Sequence, residues 1–118
     1  MKYLVSVILL CISNFGFSQG FTNVATTFNV DFGYFNGEYG GGVSFVDFNL
    51  DGLDDLTYST GQNSQLRFFQ NNGAGFTELP ALVNTTSEVK QVLWVDYDND
   101  GDLDLYLATN EVNELYQN

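Results

Sequence analysis

Short apolar segments alternate with polar stretches rich in Asn, Asp and Gly along most of the chain. The segments are rich in Val, Phe, Tyr and Leu, which favour strands, and the stretches between them have the composition of turns. No window of eleven or more residues has the apolar spacing and end caps of a helix. The pattern predicts short strands over Gly42–Val46, Leu56–Ser59, Leu66–Gln70, Phe76–Leu79, Gln91–Val95, Leu105–Ala108 and Glu114–Gln117.

The first eighteen residues have the layout of a secretory signal peptide. A positive start at Met1–Lys2 precedes ten apolar residues, Tyr3–Ile12, and then the small and polar stretch Ser13–Ser18. Ten residues are too few to span a bilayer, which takes about 20. We therefore predict cleavage after residue 18, a secreted or cell-surface protein, and no membrane span after removal. A buried strand and a lipid anchor on Cys11 are the alternatives.

The charge balance excludes some classes of function. The 118 residues include 15 acidic and three basic side chains and no His, for a formal net charge of −12. Nucleic-acid binding is excluded because the chain lacks the cations that would contact phosphates. Catalysis and zinc sites that depend on His are excluded as well. With no Cys left after removal of the leader, a metal ion is the candidate for stabilising so small a secreted domain.

The chain repeats itself with an offset of 49 residues. The stretch Val43–Leu56 (VSFVDFNLDGLDDL) matches Val92–Leu105 (VLWVDYDNDGDLDL) at this offset. Further on, Leu66–Asn71 (LRFFQN) matches Asn113–Asn118 (NELYQN), with about two fewer residues in the intervening loop. A weaker echo relates Phe76–Leu79 to Phe21–Val24, which predicts a closing strand there. A period near 50 residues is typical of propeller blades and similar arrays. We place repeat 1 at about residues 40–80 and a truncated repeat 2 at about 89–118, within one repeat region at 19–118.

Two acidic loops carry the candidate chemistry. Alternate residues of a tight loop can direct their oxygens at one centre, and a glycine at position 6 allows the sharp turn that a Ca²⁺ loop needs. The predicted side-chain ligands at positions 1, 3, 5 and 9 are Asp47, Asn49, Asp51 and Asp55 in one loop, and Asp96, Asp98, Asp100 and Asp104 in the other. The backbone carbonyls of Leu53 and Asp102, at position 7, are predicted to add one ligand each. Without a cation such carboxylates repel one another.

An EF-hand, by contrast, needs an acidic residue at position 12 and helices on both sides of the loop. Position 12 is Tyr58 in one loop and Leu107 in the other, and the flanks have strand patterns. We therefore reject the EF-hand and its helical dockerin variant. An acidic turn that binds no metal is the remaining alternative.

This succession of strand, DxDxDGxxD loop, strand, LYxN and NNGxGxF resembles the FG-GAP/VCBS repeat, the unit of integrin α-subunit propellers and of many bacterial secreted proteins. The resemblance covers about residues 40–118, and more weakly residues 21–30. It implies an all-β fold of about two four-stranded antiparallel propeller blades, with Ca²⁺ between the first two strands of each. Because two blades leave large faces uncovered, we expect a piece of a larger propeller. A short protein that oligomerises is the alternative.

The resemblance also implies a non-catalytic, calcium-binding module for extracellular binding or adhesion, with a protein or carbohydrate ligand. The competing hypothesis is an accessory part or a fragment of an extracellular enzyme that acts on polysaccharides, with calcium purely structural. Two carboxylates suffice for glycoside hydrolysis. The acids outside the two loops, however, form no recognisable acid/base pair in the sequence.

Overall fold

A computed structural model describes residues 19–34, 37–38 and 40–118. The regular structure of this part consists of seven strands: β1 (Val43–Val46), β2 (Asp55–Tyr58), β3 (Arg67–Asn71), β4 (Phe76–Leu79), β5 (Val89–Val95), β6 (Asp104–Thr109) and β7 (Glu114–Tyr116). They form a four-stranded first sheet, in the order β1-β2-β3-β4, and a three-stranded second sheet, β5-β6-β7. Every pairing is antiparallel, which confirms the all-β prediction. The predicted signal peptide lies outside the described residues.

Each predicted strand is present, with its ends shifted by no more than two residues. The prediction of a closing strand at Phe21–Val24 is wrong, because these residues have no regular structure and Phe21 is almost fully exposed. A closing strand needs a neighbouring edge with which to form hydrogen bonds. Strand β4 has β3 beside it. The described residues before Val43 contain no strand that could pair with Phe21–Val24. None of the described residues forms a helix long and apolar enough to cross a bilayer.

The hydrophobic core lies between the two sheets. Its buried members are Leu66, Phe68, Val89, Val92, Leu105 and Leu107. The ring of Trp94 packs against this core, stacks on Phe48 and donates its N–H to the hydroxyl of Thr57 at 3.1 Å. The face of β5 that includes Val92 and Trp94 therefore packs against the first sheet.

Gly42 allows the two sheets to approach where β1 passes β5. A Cβ atom at this position would lie 2.7 Å from the Cα of Gln91 and 2.8 Å from the backbone nitrogen of Val92. Both neighbours are backbone atoms, so a side chain here would force the strands apart. Gly42 therefore serves the close approach of the two sheets.

The other face of the first sheet carries part of the N-terminal segment. Phe32 stacks on Tyr58 and Phe69, with 5.7 and 5.4 Å between ring centroids, and the Arg67 guanidinium lies 3.5 Å from the Phe32 centroid. The buried carboxylate of Glu88 accepts hydrogen bonds from the Tyr34 hydroxyl and from Lys90. These contacts tie the segment to both sheets.

Candidate metal centre

The two acidic loops occupy equivalent places in the two sheets. The first loop, residues 47–55, joins β1 to β2, and the second loop, residues 96–104, joins β5 to β6. A strand pair closes each loop, Val46 with Asp55 and Val95 with Asp104. The predicted ligands therefore begin directly after an edge strand and end at the start of the next strand.

The backbone of the two loops follows the same course. Positions 4 and 6 have positive φ in both loops, at Leu50 (59°) and Gly52 (93°) and at Asn99 (63°) and Gly101 (100°). The left-handed region is strained for most side chains and favours Gly and Asn. The chain therefore makes the same sharp turn twice, with a better-suited residue at position 4 of the second loop.

The aspartate at position 1 holds each loop closed. In the first loop the two oxygens of Asp47 accept the backbone N–H groups of Asp51 and Gly52, at 2.9 and 2.8 Å. Asp96 does the same for Asp100 and Gly101, at 3.1 and 3.2 Å. The residues that form these turns are thus also those predicted to bind metal.

The aspartate at position 9 is buried in both loops, with Asp55 fully buried and Asp104 99% buried. Asp55 Oδ1 accepts the backbone N–H of Asn71 at 2.8 Å, and Asp104 Oδ1 accepts that of Asn118 at 2.9 Å. Asp104 Oδ2 accepts the N–H of Tyr97 at 3.1 Å. The corresponding oxygen of Asp55 is buried without a hydrogen-bond partner.

An unpaired buried carboxylate oxygen is unfavourable unless a cation or a donor compensates it. Burial raises the pKa of Asp55, and the nearby charges of Asp51 and Asp47 raise it further. The backbone N–H groups of Asn71 and, more weakly, of Phe48 act in the opposite direction. The first loop therefore holds a buried carboxylate whose charge a bound cation would compensate more fully.

In the second loop the side chains of Asp96, Asp98 and Asp104 converge. One carboxylate oxygen from each lies within 4.8 Å of the other two. Removal from water raises the pKa of Asp98, and the charges of Asp100 and Asp104 add to this effect. Three carboxylate oxygens at such separations fit a hard cation of the size of Ca²⁺. At the position of Asp98 the first loop has Asn49, which contributes an amide instead of a charge.

The other predicted ligands are in the loops but outside this group of three carboxylates. Asp51 Oδ1 accepts the N–H of Leu53, and Asp100 Oδ1 accepts that of Asp102, at 3.0 and 3.3 Å. Asn49 accepts the Asp51 N–H at 2.9 Å. Burial raises the pKa of Asp102, whose Oδ1 atom is buried without a partner.

Two glutamines that were not predicted contact the loops from neighbouring strands. Gln70 donates to Asp51 Oδ2 at 3.1 Å, which lowers the pKa of Asp51, and Gln117 donates to Asp98 Oδ2 at 2.7 Å. The signal for both was the Gln-Asn pair that ends each matching segment, at Gln70–Asn71 and Gln117–Asn118. The asparagine of each pair donates its backbone N–H to the buried aspartate at position 9, as described above.

Residues 47–107, more than half of the chain, match the sequence model of the FG-GAP-like repeat. The chain belongs to the FG-GAP-like repeat family. The matched region begins with the first loop and ends within β6, so it includes both loops. Neither the curated proteins nor the solved structures contain a match to the chain. The two antiparallel sheets and the FG-GAP-like sequence together define a β-propeller-like repeat module.

Proposed function

We propose that this FG-GAP-like chain is a secreted, calcium-binding, non-catalytic module for extracellular binding or adhesion. The observation that carries the calcium proposal is the convergence of Asp96, Asp98 and Asp104 within 4.8 Å. The unpartnered buried oxygen of Asp55, at the equivalent place of the first loop, is independent support. A bare acidic turn explains neither feature, because turn preferences require neither the convergence of three carboxylates nor the burial of one of them.

A bound Ca²⁺ would supply positive charge and oxygen coordination to each loop. In the second loop Asp96, Asp98 and Asp104 would hold the ion, and Asp100 and the carbonyl of Asp102 stand as further predicted ligands. In the first loop Asp47, Asn49, Asp51, Asp55 and the carbonyl of Leu53 have the same roles. The position 1 aspartates keep the loops closed through backbone N–H groups.

The non-catalytic part of the proposal is supported by the other acidic side chains. Glu78 forms a two-point ion pair with Arg67, Glu88 pairs with Lys90, and Glu114 accepts hydrogen bonds from Tyr116 and Thr85. Carboxylates held in this way stabilise the fold and are poorly placed to transfer protons. Incubation with a panel of polysaccharides should release no new reducing ends. A fragment of a polysaccharide-acting enzyme that carries its catalytic carboxylates would release them.

Calorimetric titration of the chelator-treated protein with Ca²⁺ tests the central proposal. We expect two sites with dissociation constants of roughly 10⁻⁴–10⁻³ M, the range of extracellular modules. At tenfold saturation each site should add about 1.4 kcal/mol to the free energy of unfolding. Thermal melts in Ca²⁺ and in chelator at matched ionic strength should therefore differ by many degrees. Absence of heat at millimolar Ca²⁺, with identical melts, would overturn the proposal.

Asp98→Ala is the sharpest variant for this titration. Asp98 is exposed and accepts the Gln117 side chain, whereas the backbone N–H groups of Asp100 and Gly101 that close the turn donate to Asp96. Removal of the Asp98 carboxylate should therefore leave the turn closed while weakening the second site. Glu111→Ala is the matched control, because it removes one exposed carboxylate at the opposite end of β6. We expect Asp98→Ala to retain one site and Glu111→Ala to retain both.

A further inference from the structure

The 49-residue repeat allows each face of one sheet to be compared with its counterpart in the other. Val92 and Trp94 of β5 correspond to Val43 and Phe45 of β1. In the second sheet this pair packs against the first sheet, with Val92 buried and Trp94 half-buried. In the first sheet the equivalent residues are 62% and 59% exposed. We call the surface of β1 formed by Val43 and Phe45 the leading face. It has the residues of a sheet-packing face, but no sheet formed by the described residues packs on it.

The opposite side of the second sheet is exposed, whereas the equivalent side of the first sheet is buried. In the first sheet, the side that meets the second sheet includes the buried rings of Phe48 and Phe68. Their counterparts are Tyr97 and Leu115, which are 46% and 50% exposed. Leu93 and Val95 lie on this side too, and both are also exposed. We call the surface formed by Leu93, Val95, Tyr97 and Leu115 the trailing face. It carries apolar side chains on the side equivalent to that by which the first sheet contacts the second sheet.

We propose that the trailing face binds the leading face of a second copy of this chain. The contact would repeat the one already present between the two sheets, in which Trp94 of one sheet stacks on Phe48 of the other. Phe45 of the second copy takes the place of Trp94, and Tyr97 takes the place of Phe48. A groove of about 380 Å³, lined by Val43, Phe45 and Leu56 among others, lies beside the leading face and offers room for side chains of the docking sheet. Phe32, which stacks on Tyr58 and Phe69 of the same sheet, forms one wall of this groove.

Such a contact joins two different surfaces, so a pair of copies keeps one free leading face and one free trailing face. Copies would add head to tail until the rotation closes a ring or a filament grows. Three or four copies would contribute six or eight sheets, within the range of about 4–8 for a closed propeller. The inference goes beyond the proposed function, since it depends on the apolar faces and not on what the acidic loops bind.

Sedimentation velocity on the purified protein, in Ca²⁺ and at physiological ionic strength, tests the inference. We expect assemblies larger than the chain, whose mass is at most 13.1 kDa as a monomer. Val43→Asp removes the leading face and Leu93→Asp removes the trailing face, and each variant alone should be monomeric. An equimolar mixture of the two should form dimers and nothing larger, because only one intact pair of faces remains.

Val112→Asp is the matched control, since Val112 is 78% exposed in the β6–β7 connection and lies on neither face. It adds the same charge and should assemble like the unaltered chain, and far-UV circular dichroism should show that all three variants fold. A monomeric unaltered chain at 100 μM would overturn the inference. Dimers of Val43→Asp alone would also overturn it, because they would mean that trailing faces pair with each other. Either outcome leaves the calcium titration unaffected, so the two proposals fail separately.

Discussion

The indole ring of Trp94 stacks on the ring of Phe48 with 4.9 Å between centroids and 19° between planes. The two rings come from different sheets, and the indole N–H donates to the buried hydroxyl of Thr57. This contact joins the sheets through both apolar packing and a hydrogen bond. Trp94 is also the only tryptophan in the chain, so its fluorescence reports on the interface between the sheets.

Thr57→Val should lower the free energy of unfolding by about 1–3 kcal/mol, because it keeps the side-chain shape but leaves the indole N–H without a partner. Urea unfolding followed by circular dichroism measures the change. In a Trp94→Phe background, which lacks that N–H, the same substitution should have little effect. Equal losses in both backgrounds would show that the hydrogen bond contributes nothing.

Gly42→Ala should destabilise the contact between β1 and β5 by about 1–3 kcal/mol, because the new methyl group would meet backbone atoms that cannot move aside. Trp94 fluorescence during urea unfolding is a suitable measurement. Gly20→Ala is the control, since no atom lies within 4 Å of a Cβ atom at that position. If the two variants were equally stable, the close approach at Gly42 would not constrain the interface.

Exchanging the residues at position 3 should exchange the calcium affinities of the loops. Asn49→Asp gives the first loop the carboxylate that the second has at Asp98, and Asp98→Asn makes the reverse change. One added charge near a divalent cation should tighten binding roughly three- to tenfold, and its loss should weaken binding by a similar factor. Calorimetric titration of the two variants gives both constants. An unchanged order of the two sites would show that geometry outweighs ligand charge.

Position 4 offers a second exchange, which acts on the backbone. Leu50→Asn should raise the free energy of unfolding by about 1 kcal/mol, because Asn tolerates the left-handed region better than Leu. Asn99→Leu should lower it by a similar amount. Both are measured by urea unfolding in chelator, so that metal binding does not contribute. Changes of the same sign in the two variants would contradict this explanation.

The buried Glu88 predicts a dependence on pH. Hydrogen bonds from Lys90 and Tyr34 hold the pKa of this carboxyl below its ordinary value of 4.5. The ionised form therefore favours the folded state, and its contribution is complete above pH 4.5 and is lost as the pH falls through the lower, folded-state pKa. Unfolding of Glu88→Gln should be less sensitive to acid over that range than unfolding of the unaltered protein. Glu111→Gln controls for the loss of one charge, and parallel curves for Glu88→Gln and the unaltered protein would exclude the effect.

The strands could be predicted because their signal is local. Segments rich in Val, Phe, Tyr and Leu favour strands, and the stretches of Asn, Asp and Gly between them favour turns. The loops could be predicted for the same reason, since all of their proposed ligands lie within nine consecutive residues. Contacts between distant segments could not. The donation from Gln117 to Asp98 and the burial of Asp104 depend on how β6 and β7 pair. The spacing also does not distinguish Asp98 from Asp100 as the third member of the cluster with Asp96 and Asp104. In the structure Asp98 joins them, and Asp100 accepts a hydrogen bond from the Asp102 N–H instead.

The stacked rings of Phe48 and Trp94 also connect the two loops. Phe48 directly follows Asp47, the first residue of one loop, and Trp94 stands two residues before Asp96, the first residue of the other. The two loops are therefore separated by one aromatic pair and a few covalent bonds. Any coupling between cations bound in the two loops would be reciprocal, with each altering the affinity for the other by the same factor.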